Sequence, residues 1–158
     1  MIFRNPQLKT AIILADHYIS FHKLPPYDTW ESLMANVVKD GYRLYQEMGI
    51  GKGLMEVQCL YLNQWHLNPG ESASNYFNFL HNIDEGTESN VLFQAKYEMP
   101  DNLSTQLKLN SVPKPDGTRN LSFECSTFAK AISSEEFGIL AKKAHDQANR
   151  VYQKIINS

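Results

Sequence analysis

Apolar residues recur at helical spacing in two long stretches of the chain and alternate with polar ones through most of the rest. Trp30, Leu33, Met34, Val37, Val38, Leu44, Tyr45 and Met48 form one such face. Asp28 and Glu31 flank its start at capping-box spacing, where one side chain accepts from an early backbone N–H and the other reaches back. Gly49, Gly51 and Gly53 follow, and glycine takes the left-handed conformation of helix ends without a Cβ clash. A helix is therefore expected from Asp28 to Met48. A second stripe, Phe137, Leu140, Ala141, Ala144, Ala148, Val151, Tyr152 and Ile155, predicts a C-terminal helix. Ser133 and Glu136 supply a second capping box, and Ile132 with Phe137 a hydrophobic staple. Glu135 and Glu136 at its start and Arg150 and Lys154 towards its end follow the order the helix dipole favours. A shorter helix over Ser72 to Ile83 is predicted by Ala73, Tyr76, Phe77, Leu80 and Ile83, introduced by Pro69 and Gly70.

Elsewhere the period is two. Val91, Phe93, Ala95, Tyr97 and Met99 alternate with mostly polar neighbours. Leu103, Thr105, Leu107 and Leu109 follow after Pro100, Asp101 and Asn102, and Leu121, Phe123 and Cys125 follow a longer loop that includes Pro113, Pro115 and Gly117. Short turn-rich connections of this kind join antiparallel neighbours, which predicts a meander. Another strand is expected from Leu54 to His66, with Met55, Val57, Cys59, Tyr61 and Trp65 on one side. Leu60 and Leu62 make its other side partly apolar, the pattern of an interior strand covered on both faces. Local rules leave the first 24 residues balanced between a helix opening at Asn5 and Pro6 and two short strands turning at Asp16 and His17.

Composition narrows the function classes. The 158 residues include 15 Lys plus Arg and 17 Asp plus Glu, a net charge of −2. A surface that grips nucleic acid through phosphates needs a basic surplus or stripe, so no nucleic-acid partner is expected. No apolar run approaches the length of a membrane span, and Met1 to Lys9 mixes charge and proline where a signal peptide is apolar. A cytoplasmic location and no membrane partner are therefore expected. From Gly53 to Ala95 there is no Lys or Arg, while Glu56, Glu71, Asp84, Glu85 and Glu88 make the segment acidic.

The chemistry-bearing residues form no recognised motif. Cys59 and Cys125 are too few for a disulfide framework and read as buried thiols. His17, His22, His66, His81 and His145 lack the i, i+4 spacing of a helical metal site. Gly49, Gly51 and Gly53 follow a helix and enter a strand, the reverse of the order a phosphate loop needs. No metal, cofactor or catalytic residue is assigned. Most aromatics have core spacing. Tyr27 in the Pro-Pro-Tyr turn, and Trp65 with His66 at a strand end, are the candidate anchors for a partner, since amphipathic rings at loops suit interfaces.

Two short segments add a resemblance. Asp16, Tyr18, Ile19, Phe21, His22, Leu24, Pro25, Pro26, Tyr27 and Trp30 resemble the opening of a sporadically distributed, uncharacterised bacterial protein family with a Tyr-x-x-Trp helix start. The family's later Arg-Tyr-x-Asn strand is similar to Leu60, Tyr61, Leu62 and Asn63, with Leu60 in place of the Arg, so a role tied to that Arg does not carry over. Pro69, Tyr76, Phe77, His145 and Tyr152 are similar to its remaining features. The resemblance runs from about Leu8 to Ile156 and implies that Leu8 to His22 is extended, with a hairpin near Asp16. It also implies that a leading strand-rich portion of the family is absent, which would leave a sheet edge open to a protein partner or to a second copy.

The expected architecture is a single α+β domain over residues 1–158: one antiparallel sheet of about five or six strands with two long helices on one face. The expected function is a non-catalytic protein-interaction module, one component of a multi-protein bacterial system. The alternative is a small enzyme whose active site assembles only in the fold.

Overall fold

A computed structural model describes residues 1–156 except 8, 16, 26–28, 50–55, 78, 81–89 and 131–136. The chain forms two compact units, Met1–Gly53 and Leu54–Ser158.

In the first unit, β1 (Ile2–Asn5), β2 (Thr10–Leu14) and β3 (Ile19–Lys23) make an antiparallel meander. Ile2 lies opposite Ile13, and Ile12 opposite Phe21. The segment after Leu8 is thus extended, with Asp16 itself outside the described residues. β1 is a strand that periodicity leaves unassigned. The helical stretch is α1 (Trp30–Leu33), a π turn (Met34–Val38) and α2 (Lys39–Glu47) in succession. Its cap is the Thr29 hydroxyl, which accepts from Ser32 N at 3.1 Å. Asp28, the cap expected from the sequence, lies outside the described residues.

The π turn explains why the expected stripe, which holds at Tyr45, fails at Leu44 and Met48. A π turn takes in one residue more than an α turn, so the buried face passes to Val38, Gly41 and Tyr45, while Leu44 and Met48 stand in solvent. Gly41 permits a close approach to the sheet: a Cβ there would lie 2.5 Å from the Phe21 ring.

The second unit holds β4 (Glu56–Leu67), β5 (Leu92–Met99), β6 (Leu103–Pro113) and β7 (Arg119–Lys130), paired antiparallel in the order β4-β7-β6-β5. The expected single sheet of five or six strands with two helices on one face is therefore corrected. Strands divide into sheets of three and four, and each unit has its own helix. The β5-β6-β7 meander matches the alternation in the sequence. Its first hairpin turns through Pro100, Asp101 and Asn102 between the paired Met99 and Leu103, with Asp101 and Asn102 at positive φ, a conformation these two residue types tolerate.

β4 also departs from expectation. It borders the sheet rather than running through its interior, and Leu60 and Leu62 are 48% and 46% exposed. Alternation alone could not separate an apolar residue under a covering layer from one left bare.

α3 (Phe137–Ile155) packs across β4 and β7. The Ser133–Glu136 cap and the Ile132 staple lie outside the described residues. Leu67, Phe77, Leu107, Leu109, Leu121, Phe123 and Cys125 are buried together beneath α3 and the segment after β4. The predicted Ser72 to Ile83 helix is replaced by a 3₁₀ turn, Ala73–Asn75, capped by the Ser72 hydroxyl. Phe77 then bridges to Ile156 in antiparallel fashion. The four bulky residues Tyr76, Phe77, Phe79 and Leu80 all join the core, more than one stripe of a helix could bury. Ile83 lies outside the described residues. Among the described residues, no helix is long and apolar enough to cross a membrane.

Candidate functional site

β4 gathers most of the residues that sequence reading singled out, and its alternation sorts them by face. Val57, Cys59, Tyr61, Asn63, Trp65 and Leu67 turn inward, while Glu56, Gln58, Leu60, Leu62, Gln64 and His66 turn outward.

On the inner face, Tyr61 stacks on Tyr152 of α3 with ring centroids 5.4 Å apart, and the His145 ring lies 6.3 Å away. The fold thus brings together three side chains that the resemblance quotes separately. Burial pushes the Tyr61 phenol up to about 12, with Cys59 and Cys125 adding to the effect. Burial likewise pushes the Cys59 thiol up to about 12 and the Cys125 thiol to about 11. All three groups hold their protons at neutral pH, so none is an activated nucleophile. His145 Nδ1 lies 3.1 Å from Asp146 Oδ1, but Asp146 is exposed and is held below the usual carboxylate range, first by a hydrogen bond from Lys142 Nζ at 2.8 Å. A carboxylate so engaged is a poor proton acceptor near neutrality. Among the described residues no three His, Cys, Asp or Glu side chains converge in a metal-binding group.

Trp65 and His66 do not form one anchor, because adjacent strand residues face opposite ways. Trp65 is half-buried and packs on Tyr76 at 5.7 Å and edge-on to Phe77 at 5.6 Å. His66 lies on the outer face with Nδ1 3.4 Å from Asn120 Oδ1. Trp30 opens α1 in the other unit, and Asn63 sits inward opposite Phe123. Tyr27, Asp84, Glu85 and Glu88 lie outside the described residues. Glu71 serves a local turn: its carboxylate accepts from Asn68 N at 2.6 Å, and its carbonyl accepts from the buried Arg119 guanidinium.

The outer face of β4 is where sequence reading missed the informative residues. Gln58 donates to Ser126 Oγ at 3.1 Å, flanking the two half-exposed leucines. The signal was present as Gln-x-Leu-x-Leu-x-Gln, symmetric about Tyr61.

The strand's free margin differs from the opposite margin of the same sheet. β4 runs twelve residues in unbroken register with β7, has no proline, lysine or arginine, and bears one carboxylate at its end, Glu56. β5 runs eight residues and carries Lys96 and Glu98, ion-paired at 2.8 Å on the exposed surface. Charges, prolines, bulges and shortness are what usually block strand addition. β5 carries charges along its margin, and β4 has only Glu56 at its end. Among the described residues no strand pairs with the outer margin of β4. In comparisons with known proteins, no family model, curated protein or solved structure matches the chain.

Proposed function

We propose that the protein is a non-catalytic, cytosolic protein-interaction module whose contact is main-chain pairing along β4. The supporting observation is the contrast between the two margins of the four-stranded sheet. Backbone N–H and C=O groups on an uncovered margin form an affinity template for another extended chain, and side chains on alternate faces then select the partner. Leu60 and Leu62 provide apolar contact on the outer side of that margin, and His66 a polar one at its end. The assignment keeps the polar centre around Tyr61 and His145 as structural packing, in line with the raised phenol and thiol values.

The test is affinity capture from the native host, comparing wild type with Leu60→Lys/Leu62→Lys. Two lysines beside the margin block strand addition in the way natural edges do. Partners captured by wild type are expected to be lost, with the circular dichroism spectrum unchanged. Retention of the same partners by the folded variant would reject the β4 contact.

A further inference from the structure

We infer that the strand received by β4 is the β4 of a second copy, paired antiparallel about a two-fold axis through Tyr61. This rests on the edge reading above and deepens it by naming the occupant. The argument lies in residue order. Antiparallel pairing about Tyr61 sets Leu60 opposite Leu62 of the second copy, Gln58 opposite Gln64 and Glu56 opposite His66 on the outer face. On the inner face it sets Cys59 opposite Asn63 and Val57 opposite Trp65. Each half-exposed leucine is then covered by a leucine, each glutamine meets a glutamine, and a carboxylate meets an imidazole. By symmetry every pair occurs twice except Tyr61 on its own copy at the axis, as an isologous interface requires.

Neighbouring registers are worse. Moving the axis to Leu60 sets Leu62 against Gln58, and moving it to Leu62 sets Leu60 against Gln64. Each keeps one leucine pair and sets the remaining leucines against amides. A slip of one residue sets outer-face side chains against inner-face ones. An unrelated strand would have no reason to find this symmetry in β4. A two-fold can pass through either class of antiparallel residue pair, so the ladder with β7 allows the axis whichever groups point outward.

The helices leave room. α3 lies over β4 and β7, so its axis is about half a strand spacing inside β4, and its symmetry mate would stand about 10 Å away, within the range of packed helices. The two four-stranded sheets would join as one of eight strands.

Light scattering over a concentration series tests the pairing. Wild type is expected at twice the 18.1 kDa chain mass. Leu60→Lys/Leu62→Lys, which opposes lysine to lysine twice, is expected to halve that mass. Leu60→Lys/Leu62→Glu, which opposes lysine to glutamate twice in this register, is expected to restore it. Circular dichroism confirms that each variant is folded. A dimer that survives the double lysine, or one that the lysine–glutamate variant fails to restore, overturns the register. A wild type that stays monomeric overturns the second copy. If capture from the host still depends on Leu60 and Leu62, the edge reading stands without it; if capture does not, both fall.

Discussion

Thr105 and Thr127 face each other across β6 and β7 with hydroxyl oxygens 3.0 Å apart in a fully buried row. Removing one partner strands the other hydroxyl without water. Thr105→Val is therefore expected to cost about 1–3 kcal/mol, and Thr105→Val/Thr127→Val less than the sum of the two single changes. Urea unfolding of the three variants checks this, and strict additivity would contradict it. Ser111 is the contrasting residue: its buried hydroxyl has no hydrogen-bond partner among the described residues. Ser111→Ala is expected to fall within about 1 kcal/mol of wild type or to stabilise, since it removes an unmet donor. Gly41 obeys a third rule. Alanine normally improves a helix by about 1 kcal/mol over glycine, yet the Cβ would meet the Phe21 ring at 2.5 Å. Gly41→Ala is expected to lower the melting temperature, because the overpacking cost of about 1–3 kcal/mol exceeds the propensity gain. None of these three roles was legible in the sequence, for each depends on what lies across from the residue rather than beside it.

At the scale of elements, period two was readable and irregular backbone was not. The alternation of Phe93 to Met99 and of Leu103 to Leu109 located β5 and β6 because one face of that sheet is buried and the other is not. The same rule assigned Val57, Cys59, Tyr61 and Trp65 to the inner face correctly, Met55 lying outside the described residues, but placed the strand inside the sheet, since Leu60 and Leu62 look alike whether covered or bare. The π turn defeated the helical stripe at Leu44 and Met48, as one added residue rotates everything after it. Ser72 to Leu80 failed for another reason: aromatic residues bunched in sequence fit helical spacing, although the core draws them in from an irregular segment. Phe77 is its anchor, fully buried between Trp65, Phe79 and Phe123. Phe77→Ala is expected to cost about 3–5 kcal/mol in denaturant unfolding, the usual range for a large ring leaving a cavity. A loss below about 1 kcal/mol would show that this segment contributes little to the core. Tyr61, His145 and Tyr152 each stand in the resemblance separately, and only the crossing of α3 over β4 makes them neighbours.

For the molecule as a whole, Cys59, Cys125 and Tyr61 tie stability to alkaline pH. Each holds its proton more tightly when folded than when unfolded, chiefly because burial disfavours the charged form. Their contribution is full below the ordinary thiol value of 9.0 and is lost as the pH climbs towards about 11 and about 12. Urea midpoints are expected to hold between pH 7 and pH 8 and to fall by pH 10.5, and a midpoint that rises over that interval would contradict the burial. The charged β5 margin has its own consequence for assembly. Pairing about Tyr61 would consume both β4 margins at once, and what would remain at either end is β5 with its Lys96–Glu98 ion pair. Open-ended polymerisation needs a complementary surface left over after each addition. In the proposed pair the outermost strands would repel newcomers, so growth would terminate at two chains and a fibre would have no growing tip.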